Sequence, residues 1–174
     1  MQWNKCRRRT LWLTLCIAFG VFVAFSLLIR TPYLVLSYAE TNRVLYIAPF
    51  SEGEEFSVSH IHSLNQSPVT EIYVLTDGQI MLTTMEFETF GAGMPAVLEP
   101  GQTLTRPETG GMRIDGFERR IPDLRYLIGY AAEHTLYIAD QSVPLYTLAA
   151  AGQSVQFTPR HLNIWQQLIW GCCR

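Results

Sequence analysis

Residues 69–85 read VTEIYVLTDGQIMLTTM. Two runs rich in Val, Ile, Tyr and Thr flank Asp77-Gly78, and apolar and polar residues alternate within each run. That period of two marks half-buried strands. Asp-Gly suits a two-residue hairpin, because both central positions then take positive φ cheaply. The stretch therefore predicts an antiparallel hairpin, residues 69–75 paired with 79–85. Working outward, further strands are expected at 43–48, 55–61, 112–115, 126–130, 135–139, 143–148 and 154–158, punctuated by Gly, Pro, Asn and Asp. No window between residues 43 and 159 sustains a helical period. Short strands at regular spacing without intervening helices predict an all-β fold, an antiparallel β-sandwich or a partly open barrel. About 115 residues suffice for one such core.

Upstream the pattern is different. Residues 11–29, LWLTLCIAFGVFVAFSLLI, carry no charge, and a helix of that length reaches about 28 Å, close to the hydrocarbon core of a bilayer. Lys5, Arg7, Arg8 and Arg9 precede it, so the positive-inside rule keeps residues 1–10 in the cytoplasm. The expected organisation is a cytoplasmic N-terminus (1–10), a single-pass transmembrane signal-anchor helix (11–29), a linker (30–42), an extracytoplasmic β domain (43–159) and an amphipathic tail (160–174). The rival reading is a cleaved secretory signal. A cleavable apolar core usually runs about 7–15 residues, shorter than residues 11–29, and the nearest small-x-small site, Ser37-Tyr38-Ala39, lies well past Ile29.

Composition agrees. Charged residues make up 16% of the chain, against about 25% in average soluble domains. Residues 1–30 carry a net charge of +5, and residues 31–174 carry −7. An acidic body argues against nucleic-acid binding, since phosphate contacts need a basic surface. No motif calls for a cofactor.

The four tryptophans (Trp3, Trp12, Trp165, Trp170) and four cysteines (Cys6, Cys16, Cys172, Cys173) lie near the two ends. Indole prefers the membrane–water boundary. Residues 161–170 place Leu162, Trp165, Leu168 and Ile169 at helical spacing. This short tail either lies in the membrane interface or packs on its own domain. Adjacent Cys172 and Cys173 are poorly placed to bridge each other and too few to hold a metal alone.

Candidate chemistry centres on His60-Ile-His62-Ser63 and Pro68-Val69-Thr-Glu71. His60 and His62 share a strand face, and in one register His62 lies opposite Glu71 and His60 opposite Tyr73. A carboxylate there would orient the imidazole and raise its pKa. The residues suit a metal site of His60, His62 and Glu71, a hydrolase using Ser63, or a recognition pocket. A plain structural His–Glu bond competes with all three. No complete catalytic set appears, so binding is favoured over catalysis. Residues 91–111 are rich in Gly and Pro, and Phe90-Gly91-Ala92-Gly93-Met94-Pro95 opens this stretch. Long loops are often functional, although a demanding turn accounts for Gly-x-Gly without function. Arg119, Arg120 and Arg125 stand among Glu118 and Asp123 and read as a solvated mixed-charge surface.

Taken together, His62-Ser63, Pro68-Val69-x-Glu71, Phe90-Gly-Ala-Gly-Met-Pro95 and Arg119-Arg120-Ile-Pro resemble a bacterial family of unknown function. Its members are small extracytoplasmic proteins commonly encoded beside TAXI-type TRAP transporters, and sometimes fused to their membrane subunits. The resemblance covers roughly residues 43–158. It implies an accessory role, with TRAP membrane subunits or the solute-binding protein as partners. By similarity His62, Ser63, Glu71, Phe90, Gly91, Ala92, Gly93, Met94 and Pro95 become the candidate shared site.

Overall fold

The computed structural model describes residues 3–91, 95, 97–108 and 110–171, with side chains from residue 11 onward. The elements in chain order are α1 (Trp3–Leu28), β1 (Arg30–Tyr38), β2 (Val44–Pro49), β3 (Glu55–Ile61), β4 (Pro68–Thr76), β5 (Gln79–Phe87), β6 (Thr103–Thr105), β7 (Met112–Arg120), β8 (Leu124–Leu127), β9 (Thr135–Ile138), β10 (Gln141–Pro144), β11 (Ser154–Asn163) and α2 (Ile164–Gly171). One 3-10 turn, Leu145–Thr147, follows β10. The strands form two antiparallel sheets, β2-β1-β11-β8 and β10-β9-β3-β4-β5-β7-β6.

Both sheets turn one face into a common core. Leu34 and Leu36 of β1, Phe56 and Val58 of β3, Tyr73 and Leu75 of β4, and Val155 and Phe157 of β11 belong to it. Phe56 sits at its centre, stacked on Tyr73 at 5.1 Å and on Phe157 at 5.9 Å, with the edge of Phe50 at 5.2 Å. The expected sandwich is therefore the fold. The hairpin also forms as read: Thr76 pairs with Gln79, and Asp77 and Gly78 have φ of 52° and 70°, the two positive angles of a type I′ turn. Glu52 accepts hydrogen bonds from the backbone N–H groups of both turn residues, and Arg120 reaches Asp77 at 3.0 Å.

Residues 30–38 are not a linker. They form β1, an interior strand between β2 and β11, paired with β11 from Arg30↔Asn163 to Tyr38↔Val155. Both faces of this strand are covered. Leu34 and Leu36 face the main core, while Val35 joins Ile47 and Leu162 in a second cluster, against which Trp170 packs. A strand covered on both sides is continuously apolar and carries no alternation, so it merged with the apolar segment before it.

The same pairing keeps His161, Leu162 and Asn163 in β11 rather than in a terminal helix. The helix begins one residue later behind a capping box: Asn163 Oδ1 accepts from the Gln166 N–H at 2.9 Å, and Gln166 Oε1 accepts from the Asn163 N–H at 3.0 Å. The strand expected at 143–148 splits because Pro144 ends the ladder and opens the 3-10 turn. Conversely, β7 runs on past Asp115 to Arg120 through Gly116, at φ 86°, and β6 is a short edge strand of three residues that alternation cannot reveal.

α1 contains an 18-residue window, Leu11–Leu28, of mean hydropathy 2.4, long and apolar enough to cross a bilayer. Only Ile29 separates this helix from β1.

Candidate functional site

β3 and β4 pair with His60 opposite Val69 and Val58 opposite Glu71. The register that would set His62 against Glu71 is not adopted, because the chain leaves β3 at Ile61 and turns. His62 donates its N–H to the Ser67 carbonyl at 2.9 Å, and its Nδ1 accepts the N–H groups of Leu64 and Asn65, both at 3.4 Å. His62 thus organises the turn at 62–67. Parity is preserved, however. His60 and Glu71 stand on the same inward face, as diagonal neighbours across the pair.

There they meet residues that sequence spacing does not bring together. Tyr126 of β8, in the opposite sheet, donates its hydroxyl to Glu71 Oε2 at 2.5 Å, and the Tyr73 and Tyr126 hydroxyls lie 2.7 Å apart. Since Tyr126 donates to the carboxylate, Tyr73 donates to Tyr126. The result is a relay from Tyr73 through Tyr126 to Glu71. Beside it the His60 and His134 rings stack at 5.4 Å, and Tyr126 lies 5.4 Å from His134. His134 arrives because β9 pairs with β3, Ser59 opposite Thr135, which sets the preceding residue next to His60.

The cluster is closed to water on most sides. His134 is 8% exposed, Tyr73 2% and Tyr126 9%. Burial pushes the His134 imidazole down to about 4, with a further contribution from His60. Burial also lowers His60, partly offset by the Glu71 charge, while His62 adds to the lowering. Both tyrosines are pushed upward, first by burial and then by Glu71. The imidazoles are therefore neutral at pH 7. The Nδ1 atoms of both His60 and His134 are buried without a hydrogen-bond partner. Such atoms are costly to leave unpaired and mark a place where a polar ligand or water gains binding energy.

The other resemblance-derived residues assemble next to this cluster, around the 62–67 turn. Asn65 Nδ2 donates to the Thr89 carbonyl at 3.3 Å, and a Cβ on Gly91 would collide with the Asn65 side chain. Phe90 packs edge-on to Phe87 at 5.2 Å, and Phe87 with Val69 and Ile114 forms a third apolar cluster. His62, Phe90 and Gly91 are thus brought to one end of the larger sheet, with Ser63 exposed in the turn. Pro95 is half-buried. Ala92, Gly93 and Met94, like Cys172 and Cys173, lie outside the described residues.

A second polar group occupies the same sheet. Arg113 binds Glu86 at 2.7 Å and Asp115 at 2.9 Å, and Thr84 donates to Asp115 at 2.8 Å. The Arg113 hydrogen bond holds the Asp115 carboxyl below its ordinary value against a smaller opposing effect of burial. This group borders a cleft of about 690 Å³ lined by Pro68, Thr70, Glu86 and Arg113 among others. As for metal, among the described residues no three His, Cys, Asp or Glu side chains gather closely enough to hold an ion. His60, His62 and Glu71 are accordingly not gathered into a ligand set.

These features define a small two-sheet β domain behind an apolar N-terminal helix, with a largely buried polar cluster between the sheets. Residues 56–145, from β3 to the 3-10 turn, match the family described as Domain of unknown function (DUF1850), and the chain belongs to that family. The matched stretch contains all five residues of the buried cluster. No curated protein and no solved structure matches the chain.

Proposed function

We propose that this protein is a membrane-anchored extracytoplasmic accessory module that engages a partner in the same membrane, a TRAP-type solute transporter. The observation that carries the reading is the junction at Ile29. A single residue joins a helix able to cross a bilayer to an interior strand of the sandwich, so the domain has no flexible tether with which to search the surrounding space. A body held so close to the lipid meets partners embedded in or lying on that membrane. The basic residues ahead of α1 support an outward-facing domain, and the resemblance drawn from residues 62–122 supports the transporter. In this reading the 62–67 turn, with Phe90 and Gly91 against it, forms the contact end, and the buried cluster beneath it holds that end rigid.

The test is capture of the full-length chain from detergent-solubilised membranes. TRAP membrane subunits or the cognate solute-binding protein should co-elute, and weaken when Phe90→Ala is introduced. Recovery of intact chain without them would overturn the transporter role. A second reading, an extracytoplasmic metal-binding protein or hydrolase, draws on the two unpaired imidazole nitrogens. It requires about one equivalent of tightly held metal in the purified full chain, or hydrolytic turnover lost with His60→Gln.

A further inference from the structure

The C-terminal helix presents its residues in an inverted order. In a water-soluble domain an amphipathic helix turns apolar residues inward and polar ones outward. In α2 it is Gln167 that faces the protein, its Nε2 donating to Thr31 Oγ1 at 2.7 Å and to the Leu162 carbonyl at 3.0 Å, its Oε1 accepting from Tyr33 at 3.2 Å. Outward stand Ile164 (50% exposed), Trp165 (44%), Leu168 (57%) and Ile169 (66%). Single exposed apolar residues are ordinary, but four within one eight-residue helix form a patch that calls for an apolar surrounding.

One contact fixes what surrounds it. Trp165 Nε1 donates to Ser26 Oγ at 2.9 Å, and Ser26 Oγ donates on to the Val23 carbonyl at 2.8 Å. Ser26 lies inside the Leu11–Leu28 window, two residues from its end, which is about 3 Å below the margin of the span. Trp165 therefore sits at the depth where indole rings collect. Its one polar hydrogen is satisfied within the protein, as that depth requires. Trp170, by contrast, packs on the Val35–Ile47–Leu162 cluster. The exposed flank of α2 is thus continuous with the lipid-facing surface of α1.

We infer that α2 is a second, monotopic membrane contact: its Ile164–Trp165–Leu168–Ile169 face lies in the headgroup–acyl boundary of the leaflet that α1 exits. The inference rests on α1 occupying a bilayer, and it goes beyond anchoring by fixing the tilt of the sandwich. Two contacts, a spanning helix and an interfacial one, hold a body in one orientation where a single helix allows it to rock.

The experiment uses the full chain reconstituted in vesicles containing lipids brominated at shallow acyl positions. A chain carrying W3F, W12F and W170F reports Trp165 alone, and one carrying W3F, W165F and W170F reports Trp12. Trp165 emission should fall by roughly half or more with shallow bromines, and resist aqueous iodide. Adding L168D and I169D should restore emission and admit iodide. Should Trp12 be quenched while Trp165 stays open to iodide, the interfacial placement of α2 is overturned and the anchor survives. Should neither be quenched, the anchor reading falls and the inference with it. A chain carrying only W3F and W12F keeps Trp170 packed on the Val35 cluster and is compared with the same chain carrying W165F: quenching that disappears with W165F belongs to Trp165 and supports the inference, and quenching unchanged by W165F, or none, overturns it.

Discussion

The larger sheet carries two polar groups of opposite design. Tyr73, Tyr126 and His134 are buried between the sheets with Glu71 and His60 partly covered beside them, and two buried imidazole nitrogens there have no partner. Glu86, Arg113 and Asp115 stand half in water with their charges paired, and the buried Thr84 hydroxyl donates to Asp115. The second group is what surface chemistry settles into when a strand carries charge: it gains little and costs little. The first replaces apolar core with groups that demand partners, and a fold keeps such a cluster at a cost in stability. That contrast makes the enclosed cluster, and not the ion pairs, the place where sequence has been spent on something other than folding.

The contrast can be broken or sharpened by measurement, most severely at Tyr126. Tyr126→Ala removes a ring that touches Phe157 at 5.6 Å and His134 at 5.4 Å, and should cost about 3–5 kcal/mol in denaturant melts of the full chain. A loss below about 1 kcal/mol would mean the cluster is open to water.

Acid comes next. His134 is held down to about 4, below the ordinary value, so the unfolded chain binds more protons between those limits. Its contribution is complete above about pH 6.5 and drains away as pH falls towards 4, on the order of 2–3 kcal/mol. The groups facing it are His60 and Tyr126. His134→Gln should flatten that part of the stability–pH curve, and an unchanged slope would place the acid sensitivity elsewhere.

Tyr126→Phe keeps the ring but strips the Glu71 carboxylate of its donor and Tyr73 of its acceptor. The expected loss is roughly 1–2 kcal/mol. Smallest of all, Arg113→Gln should change stability by less than about 1 kcal/mol, shrinking further at high salt. A larger effect from Arg113 than from Tyr126→Phe would reverse the contrast between the two groups.

Sequence reasoning reached the hairpin because its signal is local: Asp77-Gly78 and the alternation around it lie within a few residues of one another. It placed His60 and Glu71 on one face because parity survives the register shift of four residues between the expected and the observed pairing. It missed the register itself, since turn length at 62–67 decides that and His62 caps the turn from inside. It missed Tyr126 and His134 for a deeper reason. Their arrival depends on which strands become neighbours, β9 beside β3 and β8 across the core, and no spacing within the chain encodes it. The one usable hint was a histidine just ahead of a strand of alternating residues, at His134-Thr135. β1 was lost to the opposite problem, too strong an apolar signal on both faces.

That strand carries a consequence for biogenesis. The nearest small-x-small site past the apolar segment, Ser37-Tyr38-Ala39, falls at the tail of β1, where Tyr38 is still paired with Val155. Scission there would amputate the middle plank of the smaller sheet, leaving β2 and β11 with facing rows of unmet N–H and carbonyl groups and Phe157 and Val155 without Leu34 and Leu36 above them. A chain trimmed at that site would lack an interior strand of the smaller sheet.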